Sequence, residues 1–512
     1  MSAQDHPEDS PLAEALRRQV VAGADRPAIE LHAPGGFLRL DRARLWDAVE
    51  RMTACLSQRG MRSGDRLAWL GLNHPLQIVA LFACARLGAI FMPLNFRLAV
   101  AELQQVLDDA APRWLVHDDS HAEVARVLQG AEVLLQEALM RAPDVPSPAT
   151  TVDPVDGDTP VLLVYTSGTT GRARGALHSQ SALLANAAAS EWAHGFQSND
   201  VVLSVLPLFH VGGLCIQTLP AVLAGVPVVL QPRFDPGTWL SEVAAGQVTL
   251  SLLVPATLRA VIDHPGWSAW SPGRLRGVMT GSSTVPLHYL QAFHGRGVPV
   301  GQVYGSTETG PVSVVLRLSD AVARAGETGW PHPGAQLRLI DEHGQDVPTG
   351  QTGEVCLRAD NLMLGYWRGG AQGVEGLGDG WFHSGDLGCL AADGCLRIVG
   401  RAKDMIISGG ENIYPAEIEN LLLCLPGVQE CAVVGVPDVR WGETPVAAIV
   451  ATPGAGLTPD AVMEHLRERI ARFKLPRRVV FLDALPKSAL GKVQKASLQA
   501  RLAPPVAVSG GA

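Results

Sequence analysis

Ten consecutive residues, Thr166-Ser167-Gly168-Thr169-Thr170-Gly171-Arg172-Ala173-Arg174-Gly175, concentrate three glycines, four hydroxyls and two arginines. Glycines let a backbone turn tightly and aim several N–H groups at one point, and the hydroxyls and guanidinium groups add donors and positive charge. That combination suits a polyphosphate. It is not a Walker A loop, because Gly171 is not followed by Gly-Lys-Ser/Thr. Taken alone, the segment would serve equally as a Gly/Ser/Thr-rich surface turn.

The flanking sequence says what must position it. Val161-Leu162-Leu163-Val164-Tyr165 reads as a buried strand, and Ser179 opens a run that reads as a helix with a serine at its start. Three further polar pieces follow apolar runs read as strands: Leu206 to Gly213 with His210, Met279 to Ser283, and Val303 to Gly310 with Glu308. If those strands are parallel neighbours, their polar ends gather at one carboxyl edge, where ligands bind in such sheets. Earlier in the chain, strands at 65–71, 89–92, 113–117 and 132–136 alternate with helices at 75–87, 99–109 and 120–129, which implies a largely parallel sheet. A hairpin is expected over 27–40 around Gly35-Gly36, and Asp41 can cap the helix that follows. Ala142 to Pro160 reads as a linker between subdomains. From Gly329 to Gly400, short alternating runs at 337–341, 353–358 and 395–399 suggest a small β unit carrying Ser384-Gly385-Asp386. Beyond Arg401 lies enough chain for a compact α/β domain.

Bulk properties narrow the function. A chain of 512 residues exceeds one core, and 47% hydrophobic with 18% charged residues is a globular balance rather than a disordered one. The net charge of -9, with no basic run, disfavours nucleic acid as the main partner, and none is expected. Eight scattered cysteines without a CxxC pair read as reduced core residues of a cytoplasmic protein and leave little for zinc. The acidic, polar start does not read as a signal peptide, so none is expected. The uncharged stretch Val201 to Gln231 is broken by prolines and glycines into pieces too short to span a bilayer, so no transmembrane segment is expected.

Five motifs occur in order: the loop 166–175, Tyr304-Gly305-Ser306-Thr307-Glu308, Ser384-Gly385-Asp386, Gly400-Arg401-Ala402-Lys403-Asp404 and Pro486-Lys487-Ser488-Ala489-Leu490-Gly491-Lys492. Each alone has an ordinary structural explanation. In combination, from about residue 27 to residue 500, the chain strongly resembles the acyl-adenylate-forming family, which includes acyl- and aryl-CoA synthetases, peptide-synthetase adenylation domains and firefly luciferase. The resemblance implies an α/β fold with a large N-terminal domain (1–402) of parallel-rich subdomains and a small β unit. A small mobile α/β C-terminal domain (403–512) would follow. It also implies a two-step reaction: a carboxylate attacks the α-phosphate of ATP to give acyl-AMP and pyrophosphate, then the thiol of coenzyme A displaces AMP.

Residue roles are carried over by the same resemblance. Thr166, Ser167, Gly168, Thr169, Thr170, Gly171, Arg174 and Gly175 would hold the leaving phosphates; Glu308 with Thr169 would hold Mg2+, a hard ion that favours oxygen. Thr307 would bind the α-phosphate, with Gly305 and Ser306 beside it, while Gly281, Ser282, Ser283 and Tyr304 flank adenine. Asp386 would accept the ribose hydroxyls and Arg401 would donate to the same sugar. Lys492 would reach between carboxylate and α-phosphate, and the small domain would turn about Lys403 for the thiol step. Ser408, Gly409 and Gly410 would then present a channel to pantetheine, with Trp441 lining it. Phe473 and Lys474, and Arg477 as a second cation, would meet coenzyme A.

Two features bear on specificity. Most relatives have Pro-Lys where this chain has Ala173-Arg174; arginine keeps the charge and offers a planar fork. His210 stands where the family places a gate beside the carboxylate, and Val211, Gly212 and Gly305 are small enough to leave room for a sizeable apolar acyl group. The expected acid is an aryl, arylalkenyl or medium-chain fatty monocarboxylic acid, with Arg233 and Arg259 the cations able to reach a second carboxylate. Competing readings are a stand-alone loader of a carrier protein, an ATP-binding protein that releases ADP, and a non-catalytic binder.

Overall fold

A computed structural model describes residues 9–33, 36–139, 155–167, 173–282, 285–368, 374–409, 411–487 and 493–503. They fall into two compact units: the described parts of 1–283, 292–337 and 357–382 form one, and those of 284–291, 338–356 and 383–512 the other. Residues 383–402, assigned to the larger domain from the sequence, cluster with the C-terminal segment.

In the first unit, Pro11 opens helix Pro11–Ala22 with Ser10 accepting from Ala13 N–H, and Asp41 caps Arg42–Gln58 by accepting from Arg44 N–H. The buried stripe Leu45, Val49, Met52 and Leu56 of the second helix joins a core that includes Trp69, Phe82 and Phe91. The expected βα alternation is present: strands Arg66–Leu70, Ile90–Pro93, Trp114–His117 and Glu132–Leu135 are parallel neighbours in an eight-stranded sheet. Burial of nearly all residues of the first three matches a sheet covered on both faces, whereas the edge strand Glu132–Leu135 buries only Leu134.

The phosphate-loop neighbourhood differs from the strand–loop–helix expected. Pro160–Ser167 and Ala173–Ser179 are two antiparallel strands, with Thr166 opposite Arg174, so Thr166 and Ser167 end the first strand and Arg174 and Gly175 belong to the second. Ser179 then caps helix Gln180–His194, as expected. Pro160, read as the end of a linker, already pairs with Ser179. Strands Gly365–Trp367 and Val374–Glu375, not foreseen from the sequence, extend this sheet through Ala173–Ser179, although they fall within the 329–400 stretch read as the small β unit.

A nine-stranded sheet carries Val202–Ser204, Leu250–Leu253, Gly277–Gly281 and Val300–Tyr304 side by side and parallel. Between Val202–Ser204 and Val228–Leu230 the uncharged stretch forms short buried helical pieces, one of them a π-turn at Leu214–Thr218. No described helix is long and apolar enough to cross a membrane. The small β unit is a four-stranded sheet ordered Ala335–Ile340, Thr352–Ala359, Phe382–Leu390, Leu396–Arg401.

In the second unit, a five-stranded sheet built on the long hairpin Val428–Asp438 and Gly442–Ala451 packs against helices Pro415–Leu423, Pro459–Arg467 and Lys495–Leu502. Two apolar clusters, one centred on Ile418, Val433 and Leu466 and one on Val446 and Leu498, give it a core of its own. None of the eight cysteines, all among the described residues, is in a disulfide, and five of them are buried.

Candidate active site

In the first unit the parallel strands deliver their polar ends to one sheet edge. After Val202–Ser204, the buried Asn73 amide donates to Leu206 and Gln231 carbonyls at 2.9 and 3.0 Å and accepts Leu208 N–H at 2.8 Å. That clamp sets the chain entering His210. The His210 imidazole caps the next turn, its Nδ1 accepting Gly212 N–H at 3.0 Å, while Val211 is buried. After Gly277–Gly281, Ser282 adopts φ 76°, a left-handed conformation that costs a side-chain-bearing residue about 1–3 kcal/mol. After Val300–Tyr304, a Cβ on Gly305 would stand 2.2 Å from Pro311 O, so only glycine lets the chain turn back there.

That turn carries Ser306, Thr307 and Glu308. Ser306 N–H donates to Thr309 Oγ1 at 2.9 Å, and Asn361 braces the returning chain by donating to Val312 O at 3.0 Å. The Ser306 hydroxyl is buried without a hydrogen-bond partner among the described residues, which costs about 1–3 kcal/mol unless something polar meets it. Tyr366 donates to Glu308 Oε1 at 2.9 Å and thereby orients the carboxylate. Burial and the neighbouring Glu308 charge push the Tyr366 phenol up, so it stays a donor. Arg174 lies over the Tyr366 ring, 3.5 Å from its centroid, and pairs with Glu375 at 3.5 Å. One cation and one anchored carboxylate therefore flank the same phenol. Behind them His178 is fully buried, and burial outweighs the nearby Glu308 charge to push its imidazole down to about 4.

In the second unit, Asp386 lies on strand Phe382–Leu390 opposite Arg401, and the Arg401 guanidinium meets its carboxylate at 2.7 Å. The approach to Asp386 is rigid: Ser384 Oγ donates to Val355 O at 2.6 Å and accepts Asp386 N–H at 3.0 Å, and Gly385 N–H donates to Glu354 at 3.0 Å. Gly409 meets Trp441: its N–H donates to Trp441 O at 2.8 Å, and a Cβ on Gly409 would stand 2.6 Å from the indole, while Ser408 pairs with Gly442. Arg477 lies over the same ring at 5.4 Å. Phe473 is 45% exposed. Lys474 is engaged by both oxygens of Glu417 at 2.8 and 2.7 Å, so it is not the open cation expected. Lys403 is exposed in the short turn Ala402–Asp404.

Residues 16–367 match the family model described as AMP-binding enzyme, and residues 417–492 match the AMP-binding enzyme C-terminal domain. The chain belongs to the AMP-binding enzyme family. An indoleacetate–CoA ligase of Aromatoleum aromaticum is 45% identical over 472 residues, 89% of this chain and 92% of that protein. A feruloyl-CoA synthase of an Amycolatopsis species is 40% identical over 468 residues, 91% of this chain and 94% of that one. A solved structure of o-succinylbenzoate coenzyme A synthetase (MenE) from Bacillus subtilis, in complex with ATP and magnesium ion, is similar with a TM-score of 0.83 and 29% identity, covering 94% of this chain and 98% of that one. Relatives that are ligases align over nearly the whole chain, so the acid–CoA ligase class expected from the motifs stands.

Of the site residues anticipated in this AMP-binding enzyme, Gly168, Thr169, Thr170, Gly171, Ser283, Gly410 and Lys492 lie outside the described residues. The first unit brings Glu308 and Arg174 onto Tyr366, and the second brings Asp386 to Arg401 and Gly409 to Trp441. Tyr366 and Asn73 were missed, since a lone tyrosine and a lone asparagine carry no spacing signal. Arg97 was missed too: it and Arg233 lie over the Phe96 ring at 5.7 and 5.8 Å, and neither pairs with a carboxylate among the described residues. Burial and the mutual repulsion with Arg233 push Arg97 down.

Proposed function

We propose that this AMP-binding enzyme joins an aryl or arylalkenyl monocarboxylic acid to coenzyme A at the expense of ATP. One acid oxygen attacks the α-phosphorus, the bond to the bridging oxygen breaks and pyrophosphate leaves. The coenzyme A sulfur then attacks the acyl carbon, its proton goes to solvent and AMP leaves. The observation that carries the reading is the sheet edge of the first unit, where three parallel strands end in His210, Ser282 and the Thr307–Glu308 turn. The orphaned Ser306 hydroxyl at that edge supports a polar ligand there.

Catalysis of this kind is mainly positioning and charge cancellation. Arg174, with the rest of the segment 166–175, would take the leaving phosphates, and Thr307 the α-phosphate. Glu308, held by Tyr366, offers hard carboxylate oxygen of the type Mg2+ prefers, so it fits as a ligand together with Thr169. Magnesium, when bound, supplies countercharge to the phosphates. Asp386, oriented by Arg401, would accept from the ribose. Lys492 would serve adenylation, and a turn about Lys403 would replace it with the Ser408–Gly409 segment and Trp441 for the thiol. The indoleacetate and feruloyl relatives support an aryl acid, and the free cysteines support a cytoplasmic setting.

A panel of aryl, arylalkenyl and medium-chain fatty acids with Mg-ATP and coenzyme A tests this. AMP and a thioester are expected, with an aryl acid giving the highest kcat/KM. ADP without AMP on every acid would reject the ligase, and acyl-hydroxamate with indifference to coenzyme A would transfer the function to carrier loading.

A further inference from the structure

Glu354 and Cys356 sit two residues apart on strand Thr352–Ala359 and so share a face, and the neighbouring strand Phe382–Leu390 brings His383 to them. His383 Nδ1 is 3.4 Å from Cys356 Sγ and 3.7 Å from Glu354 Oε2, and the three donor atoms all lie within 4.8 Å of one another. Around zinc, sulfur at about 2.3 Å and nitrogen at about 2.0 Å subtend roughly 3.5 Å at the tetrahedral angle. The thiol and imidazole thus already stand at the spacing of two ligands on one ion, with the Glu354 carboxylate 3.7 Å from the imidazole. Cys356 is buried, whereas the His383 side chain is 50% exposed, so the cluster has a closed floor and an open mouth.

We propose that Glu354, Cys356 and His383 bind a borderline divalent cation of the zinc class, with the fourth position open. A thiolate, an imidazole and a carboxylate suit zinc or cobalt, whereas magnesium prefers six oxygen ligands and does not compete. Binding releases the thiol proton to solvent. Glu354 also accepts Gly385 N–H at 3.0 Å, directly before Asp386, so an ion that draws the carboxylate to itself loosens the Ser384-Gly385-Asp386 turn. This effect on nucleotide binding rests on the role proposed for Asp386; cation binding itself does not.

The full chain, stripped with chelator, is titrated with zinc by calorimetry and with cobalt by absorption. One equivalent per chain and a sulfur-to-cobalt charge-transfer band are expected. Cys356→Ser removes the band, and His383→Gln or Glu354→Gln weakens binding at least about tenfold. No stoichiometric binding, or titrations unchanged in all three variants, would overturn the site. Because His383 is half exposed, its variant tests the idea even where Cys356→Ser fails to fold. In steady-state assays, zinc raises KM for ATP in the parent and not in His383→Gln; an unchanged KM at saturating zinc would overturn the coupling to Asp386. Loss of ligase turnover altogether leaves the binding titrations readable, so the two proposals fail separately.

Discussion

Asp386 and Glu308 show how one type of side chain is prepared for two tasks. Asp386 is held by a guanidinium on the adjacent strand, which aims its carboxylate. Glu308 is held by a phenol, a neutral donor that orients the group without cancelling its charge. Asp386→Ala should raise KM for ATP by about 10- to 100-fold, the worth of a charged hydrogen bond, while circular dichroism stays unchanged. Tyr366→Phe should lower kcat by about tenfold and raise the magnesium concentration needed for half-maximal rate. An unchanged magnesium profile would separate Tyr366 from the metal ligand. Glu308 and Asp386 stood out in the sequence because each sits in a short motif at a strand. Their partners stood out less: Arg401 belongs to a motif, but Tyr366 comes from 58 residues further along than Glu308 and is placed only by strand pairing.

Among the elements, the parallel strands were the easiest to read, because continuous apolar β-branched runs between helices have few other uses. The hairpin around the phosphate loop was read as strand, loop and helix. Its second arm, Ala173–Ser179, begins with Ala-Arg-Gly, which hides a strand that only pairing with Pro160–Ser167 creates. The lone strands Gly365–Trp367 and Val374–Glu375 were invisible for the same reason: two or three residues carry no period. Two glycines test the elements directly. Gly305→Ala drives a methyl into Pro311 O, displaces the Thr307–Glu308 turn and should cut kcat/KM for adenylation by about 100-fold or more. Gly409→Ala pushes on the Trp441 indole and should slow thioester formation from supplied acyl-AMP while leaving pyrophosphate release on the first turnover near normal. Equal loss in both half-reactions would remove Gly409 from the thiol step.

For the whole molecule, acid sensitivity follows from two buried imidazoles. Burial pushes His178 and His194 down to about 4 from an ordinary 6.5. Above 6.5 both are neutral folded or unfolded, so they leave stability unchanged. As pH falls from 6.5 towards 4 the unfolded chain binds about two protons that the folded chain refuses, so stability declines across that window. Melting temperatures from pH 7 to pH 4 should fall, and His178→Gln should remove about half of that histidine contribution; a slope identical to the parent would contradict it. The order of motifs made the two-part organisation readable, while the clustering of residues 383–402 with the C-terminal segment depends on long-range packing that no local pattern encodes. The proposed exchange of Lys492 for the Ser408–Gly409 segment predicts that Lys492→Ala slows acyl-AMP formation by orders of magnitude and spares thioester formation from supplied acyl-AMP. The most direct measurement of the proposed chemistry is isotopic. An aryl acid labelled with oxygen-18 in its carboxylate, turned over with Mg-ATP and coenzyme A, should yield AMP carrying one labelled oxygen, because the acid oxygen that attacks phosphorus stays with AMP. Unlabelled AMP, or ADP in its place, would contradict the account.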